Sequence, residues 1–141
     1  MKDQIEYVVG IPEIEDYLSL RELNGWHGYP KDRALHGLNN SLFSVYAQRR
    51  EKVIGFARIV GDGYTYFYIQ DVLVHPQYQN NGIGSEIMSR IMKFVFEKAP
   101  LNTGSFISVM IAPGLKKFYN KYGFETYPDN SPGMRIWRNG H

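Results

Sequence analysis

Hydrophobic and polar positions change their spacing along this chain in a way that separates strands from helices. The clearest change falls between Tyr64 and Phe96. Tyr64 to Val74 is rich in aromatic and β-branched residues and reads as a strand. His75 to Gly84 is polar and ends in Gln79-Asn80-Asn81-Gly82-Ile83-Gly84. Apolar residues then recur at Ile83, Ile87, Ile91, Phe94 and Val95, the stripe of a helix with one buried face. The pattern predicts a strand, a glycine-bearing turn and a helix, in that order.

The same reading extends to both sides. Ile5 to Val9 predicts a short strand, closed by Gly10 and Pro12. Pro12-Glu13-Ile14-Glu15-Asp16 opens a helix, with proline and acids in its first turn. Ile14, Tyr17, Leu18, Arg21 and Leu23 carry it to a stop at Asn24-Gly25. Trp26 to Pro30 is an aromatic loop. Asp32 is the expected cap of a second helix, Arg33 to Leu38, with Leu35 and Leu38 facing inward. Ser41 to Gln48 alternates, Arg49-Arg50-Glu51 turns, Lys52 to Val60 is a strand, and Gly61-Asp62-Gly63 turns again into Tyr64–Val74. These three strands form an antiparallel meander. Phe106 to Ile111 follows a helical crossover and should lie parallel to Tyr64–Val74. Gly114 to Tyr122 is a short helix stopped by Gly123. Phe124 to Tyr127 and Met134 to Arg138 are two last strands, joined by a loop rich in proline and glycine. The expected class is α/β (α+β): a mixed, mostly antiparallel sheet of six to seven strands with helices on both faces.

Composition narrows the chemistry. A chain of 141 residues is read as one domain able to bury a core. A formal net charge of +2, with no basic run interleaved with aromatics, argues against nucleic acid as a partner. Cysteine is absent, so disulfides, zinc-thiolate sites and a cysteine nucleophile are excluded, in keeping with a cytoplasmic location. No apolar run reaches membrane-spanning length, and MKDQIEYVVG has no signal-peptide core, so no membrane partner is expected. His27, His36, His75 and His141 show no metal-ligand spacing, and no metal is expected.

The turn before the long helix carries the most specific signal. A strand running into a glycine turn that opens a helix points several backbone N–H groups at one spot, with the positive end of the helix dipole behind them. That is a place to hold a phosphate. A P-loop is excluded, because no Gly-Lys-Ser/Thr is present. A dinucleotide fold would need G-x-G-x-x-G directly after the strand and an acid ending the next one, whereas Phe106–Ile111 runs into Ala112-Pro113.

Val72-Leu73-Val74-x-Pro76 followed by Gln79-x-x-Gly82-x-Gly84 and an amphipathic helix resembles the acetyl-CoA motif of the GNAT superfamily of N-acetyltransferases. Leu115-Lys116-Lys117-Phe118-Tyr119-Asn120-Lys121-Tyr122-Gly123-Phe124 resembles a second motif of that superfamily, in which the residue matching Tyr119 lies near the coenzyme A sulfur. The likeness covers about Val53 to Phe124. One position departs from it: many members carry Asn seven residues before this tyrosine, and here Ala112 stands there.

The resemblance implies a GNAT-like fold and transfer of an acetyl group from acetyl-CoA to a primary amine, by a direct ternary complex. It implies a coenzyme site at Val72, Leu73, Val74, Gln79, Asn80, Asn81, Gly82, Ile83, Gly84, Ser85 and Phe118, with the main-chain N–H of Leu73 bonding the acetyl carbonyl. Tyr119 is the implied acid for the departing thiolate. Asp71 is the local candidate for the base, since a carboxylate inside an apolar strand must be bonded or face a cleft. The other reading of Asp71 is a strand bulge that accepts structural hydrogen bonds. Asp62, Glu22, His27 and water compete for the base role. The aromatic loop Trp26–Tyr29 would wall an acceptor site, which favours a small-molecule amine over a protein tail. A non-catalytic acyl-CoA-binding module and a protein-amine acetyltransferase are the alternatives, and a homodimer is left open.

Overall fold

The computed structural model describes residues 4–127 and 133–138. Strands β1 (Glu6–Val9), β2 (Phe43–Arg49), β3 (Lys52–Gly61), β4 (Tyr66–Val74), β5 (Ser105–Met110), β6 (Glu125–Thr126) and β7 (Gly133–Arg138) form one seven-stranded sheet, in the order β1-β2-β3-β4-β5-β7-β6. Helices are α1 (Ile14–Leu23), α2 (Lys31–Asn39), α3 (Ile83–Lys98) and α4 (Lys116–Asn120), with one 3₁₀ turn at Pro76–Tyr78. Strands β1 to β4 are antiparallel neighbours, β4 and β5 are parallel, and β7 runs antiparallel to both β5 and β6. This is the mixed, mostly antiparallel sheet read from the sequence. The predicted loop between β6 and β7 lies largely outside the described residues.

Each face of the sheet has its own core. On one face α3 buries Ile83, Ile87, Met88, Ile91, Met92 and Val95 against Val45, Ala47, Ile54, Ala57, Ile59, Phe67 and Ile69. Phe94, on the edge of that stripe, stacks on Phe43 with ring centroids 4.2 Å apart. Burying each large aliphatic side chain here contributes roughly 1.5–3 kcal/mol. The approach of α3 to the sheet is close: a Cβ on Gly55 would stand 2.7 Å from Ile87 Cδ1, so a larger residue at that step of β3 would require the Ile87 side chain to move. On the other face α1 and α2 bury Ile14, Tyr17, Leu20, Ala34 and Leu38 over Val53, Phe56 and Leu73.

Local details differ from expectation for physical reasons. Leu35 is exposed and Ala34 takes the inward position beside Leu38. Ala34 and Leu38 are four residues apart and share one face of the helix, which packs on the sheet and leaves Leu35 about 100° round from Ala34. Pro30 occupies the N-cap, which leaves Asp32 in the first turn as a dipole partner instead of a cap. In α1, Leu20 is buried and Leu23 exposed. The strand begins at Tyr66 rather than Tyr64. Asp62 captures the N–H groups of Tyr64, Thr65 and Tyr66, and the Thr65 hydroxyl, holding that stretch as a turn.

Candidate functional site

The site begins with a defect in β4. Leu73 lies opposite Phe56 and Gln70 opposite Arg58, so three steps on β4 match two on β3. The extra residue sits at Asp71, whose φ is 57°. A bulge bends its strand and ends pairing on the far side. That is what happens here: β4 and β5 pair from Tyr66–Phe106 to Ile69–Val109. β4 then continues to Val74 along β3 alone. A gap opens between two strands that run parallel up to that point.

The bulge also decides which main-chain groups face the gap. His75 N–H donates to Ile54 O at 2.8 Å, across β3. N–H groups alternate sides along an extended strand, so Leu73 also faces β3, and Val72 and Val74 face the gap. The expectation that Leu73 donates to an acetyl carbonyl is therefore corrected. Its N–H is turned into the sheet and its side chain is 2% exposed among α1 and α2. The donors that face the gap are those of Val72 and Val74.

The gap continues into a groove of about 380 Å³, lined by Val72, Val74, Gln79, Asn80, Gly82, Ile83, Gly84, Ser85, Phe118 and Tyr119, together with Asn24, Tyr78 and Leu115. Ten of the sequence-derived coenzyme and acid candidates thus meet in one place. Asn81 is not among the lining residues; it donates to the carbonyls of Tyr78 and Gln79 and holds the turn. Gln79 donates to Val74 O at 3.2 Å, tying the turn to the strand. Gly82 is the N-cap of α3 at φ 81°, a left-handed conformation that favours glycine. The first bond inside α3 is Glu86 N–H to Gly82 O. The N–H groups of Ile83, Gly84 and Ser85 therefore have no partner within the helix, and no side chain caps it. A Cβ on Gly84 would stand 3.6 Å from Val74 Cγ2 and 3.7 Å from Phe118 Cζ, in the groove itself. A cradle of main-chain donors with glycine at the point of approach fits a pyrophosphate.

The far wall is α4. Tyr122 donates its hydroxyl proton to Ser85 O at 3.1 Å, which fixes α4 against the start of α3. Phe118 and Phe124 pack edge-on to Tyr119, with centroids 5.0 Å and 6.1 Å away. Tyr119 is 4% exposed, and burial, with Tyr122 adding to it, pushes its hydroxyl up to about 12. It stays protonated throughout the neutral range. At the departing position, Ala112 holds a turn by accepting from Leu115 N–H, and Leu115 lines the groove.

Asp71 has the second of the two roles read for it. Its carboxylate is buried and accepts from the Tyr17 hydroxyl at 2.5 Å, from Arg21 Nη1 at 2.6 Å and from Arg58 Nε at 3.0 Å. Both oxygens are engaged, so the assignment as a base gives way to that of a bulge anchor. Burial and the bond to Asp71 push the Tyr17 hydroxyl well above the usual tyrosine range. Arg21 is itself buried, under Tyr29, Trp26 and Tyr17, whose ring centroids lie 4.3, 5.3 and 5.8 Å from its guanidinium carbon. The aromatic loop thus covers Arg21. Asp62 is likewise removed from the base role: its turn bonds hold it well below the usual carboxylate range. Glu22 and His27 are exposed.

Sequence reasoning did not find Arg58, Tyr17 or Asn24 as parts of this region. Arg21 was visible only as one more position on a helical stripe. The one signal available was Asp71, a carboxylate that needed buried partners.

Comparison with known proteins agrees with this geometry. Residues 39–126 match the model of the acetyltransferase (GNAT) domain family. An uncharacterised ycf52-like N-acetyltransferase from Prochlorococcus marinus is 32% identical over 89% of this chain and 72% of its own length. A Staphylococcus aureus protein of unknown function, described as a probable acetyltransferase, superposes with a TM-score of 0.83 at 34% identity, covering 94% of this chain and 98% of that one. A GNAT family N-acetyltransferase from Escherichia coli, solved with CoA, shares the fold at a TM-score of 0.69 and 15% identity, over 97% of this chain and 83% of that one.

Proposed function

Because this chain belongs to the GNAT family of acetyltransferases, we propose that it acetylates the primary amine of a small molecule by direct transfer within a ternary complex. The observation that carries the reading is the gap between β4 and β5, which opens beside the donor-rich start of α3 and is walled by Tyr119. With one sheet running from Glu6 to Arg138, the chain reads as a single N-acetyltransferase domain.

Acetyl-CoA supplies the acyl group as a thioester. The N–H groups of Ile83, Gly84 and Ser85 would hold its pyrophosphate, with Gln79 and Asn80 along the rim. The N–H of Val72 or Val74 would meet the acetyl oxygen. A donor fixed by the strand is worth most where negative charge develops, and it needs no reorganisation. Tyr119 would then donate to the sulfur. A thiol titrates near ~8.5, below the hydroxyl at about 12. The tyrosine therefore stabilises the developing thiolate as a hydrogen-bond donor, and the proton passes over only as solvent equilibrates the product. Asp71 and Asp62 being engaged, the amine gives its proton to water or to an exposed group such as Glu22 or His27. The small-molecule preference rests on the aromatic loop, which narrows the α1–α2 side of the sheet.

Thiol release from acetyl-CoA across a panel of amines tests this directly. Turnover is expected with intersecting initial-rate patterns. Parallel patterns, or an acetylated protein isolated without acceptor, would refute direct transfer. Tight binding of acetyl-CoA with no turnover on any small or protein amine would favour a binding module.

A further inference from the structure

Behind the bulge, on the α1–α2 face, lies a second cavity of about 210 Å³ lined by Tyr17, Tyr29, Arg33, Ala34, Gly37 and Arg58. Its charge is unbalanced. Arg21 and Arg58 both bond Asp71, so one carboxylate serves two guanidinium groups. Arg58 uses Nε on Asp71 and Nη1 on Gly37 O and Ser41 Oγ, and Nη2 has no partner among the described residues. Arg33, on the exposed side of α2, has no hydrogen bond or ion pair to another described residue. The neighbouring Lys31 is already paired with Glu15. Among the described residues no carboxylate lines the cavity, so two arginines and two tyrosine rings face a space whose one bonded acid, Asp71, is already shared by Arg21 and Arg58.

Resting on the acetyl-transfer reading above, we propose that this cavity receives a carboxylate carried by the acceptor, with Arg33 and Arg58 as its donors, so that the substrate class is amines bearing an acid group, such as free amino acids. A guanidinium offers paired N–H groups that match a carboxylate. The volume is below that of a pocket for a whole drug-sized ligand and suits the acid end of a small one. The position suits it too: Arg58 bonds Asp71, whose chain neighbour Val72 lines the gap. An acid held here keeps its amine near the acetyl-transfer point. The coenzyme's own phosphates do not compete for this cavity. Their cradle is at α3, on the opposite face of the sheet from α1 and α2.

The test uses matched pairs: L-amino acids and their C-terminal amides, with aminoalkyl phosphonates as a third arm. Each is measured by thiol release and by calorimetry into the complex with coenzyme A. Acids should show KM and Kd values roughly 10- to 100-fold lower than the amides, as a charge-assisted bond pair implies. Arg33→Gln should collapse that ratio toward one, and Arg33→Lys should restore part of it. Arg33 lies on the exposed side of α2, and an unchanged melting curve checks that its variants fold. Equal use of acids and amides, or a ratio that survives Arg33→Gln, overturns the proposal while leaving acetyl transfer intact. A preference for phosphonates over carboxylates overturns the carboxylate assignment. If nothing in the panel releases thiol, the transfer reading fails for these acceptors, and the calorimetric ratio still decides whether the cavity selects acids.

Discussion

Asp71 and Val72 are neighbours in sequence, yet they serve two regions built in opposite ways. On the side of Val72 the groove is made of main-chain donors, two glycines and apolar and aromatic walls, and the N–H groups at the start of α3 have no partner within the helix. On the side of Asp71 the polar groups are charged side chains, and they bond one another: a carboxylate, two guanidinium groups, a tyrosine hydroxyl and a lid of aromatic rings. The first region can take up a ligand because its donors are uncommitted. The second can hold the shape of the first because its donors are committed. A bulge residue at φ 57° stores strain of about 1–3 kcal/mol, and the cluster around Asp71 is what holds it in that conformation.

The comparison predicts that substitutions in the groove change catalysis and leave stability alone, and that substitutions in the cluster do the reverse. The largest effect should come from Tyr119→Phe. It keeps the ring contacts to Phe118 and Phe124 and removes only the hydroxyl, so kcat should fall roughly 10²–10³-fold with KM for acetyl-CoA little moved. With the hydroxyl pushed up to about 12, tyrosine ionisation leaves no inflection between pH 6 and 10. The deficit should instead hold nearly constant across that range, because the hydroxyl stabilises the leaving thiolate as a donor and gives up no proton in the step. An unchanged kcat, at a pH where chemistry limits the rate, would make Tyr119 a packing residue only.

Asp71→Ala is the matching test of the cluster. It leaves the buried Arg21 and the partly buried Arg58 without their counter-charge, which costs about 3–5 kcal/mol, a large part of the 5–15 kcal/mol typical of a domain. Urea melts measure it. Asp71→Asn keeps the shape and sharpens the question. Loss of the acidic limb of the pH–rate profile in a stable Asp71→Asn protein would return Asp71 to the role of base and break the contrast between the two regions.

Gly82→Val returns to the groove. A β-branched residue at φ 81° is strained by about 1–2 kcal/mol and displaces the first free N–H groups of α3. Calorimetry should show acetyl-CoA affinity reduced at least about 10-fold in a protein that still melts cooperatively. Affinity within twofold of wild type would remove this turn from the phosphate cradle.

The two regions also differed in how far they could be read from sequence. The groove was legible because backbone geometry leaves a local signature: Gln79, Gly82 and Gly84 at fixed spacing, after a strand and before a helix. The cluster was not, because its members, from Tyr17 to Asp71, are 54 residues apart and each is ordinary in its own helix or strand. Arg21 occupies a stripe position that a leucine would also fill. The acetyl-oxygen donor was placed at Leu73 by the resemblance alone, and the bulge at Asp71 adds a residue that no motif marks. Asp71 alone carried a hint, as the one carboxylate in an apolar strand, and both of its readings were open until its partners were placed. The sheet itself was legible almost strand by strand, since runs of aromatic and β-branched residues bounded by turn residues mark strands even where both faces are covered.

The smallest effect should come from Tyr17→Phe, and it separates the cluster's parts. The ring contacts remain, including the edge-on packing with Phe56 at 5.3 Å. Only the bond to Asp71 is lost, and Asp71 keeps both arginines. A bond to a charged group of this kind is worth about 1.5–3 kcal/mol, and the surviving partners should hold the loss to the lower part of that range at pH 7. The pH dependence gives a second reading. Tyr17 titrates higher in the folded protein than the ~10 of an unfolded tyrosine. The native state therefore keeps the proton more tightly, and the stability linked to it is fully present below pH ~10 and lost as pH rises above it. Wild type should lose stability between pH 10 and 11 faster than Tyr17→Phe, so the two urea midpoints converge as the pH climbs. Burial contributes the larger part of that shift and the Asp71 bond the next, so parallel pH profiles would mean that the Tyr17 hydroxyl is neither buried nor bonded to Asp71 in solution, and the bulge would then be held by the arginines alone.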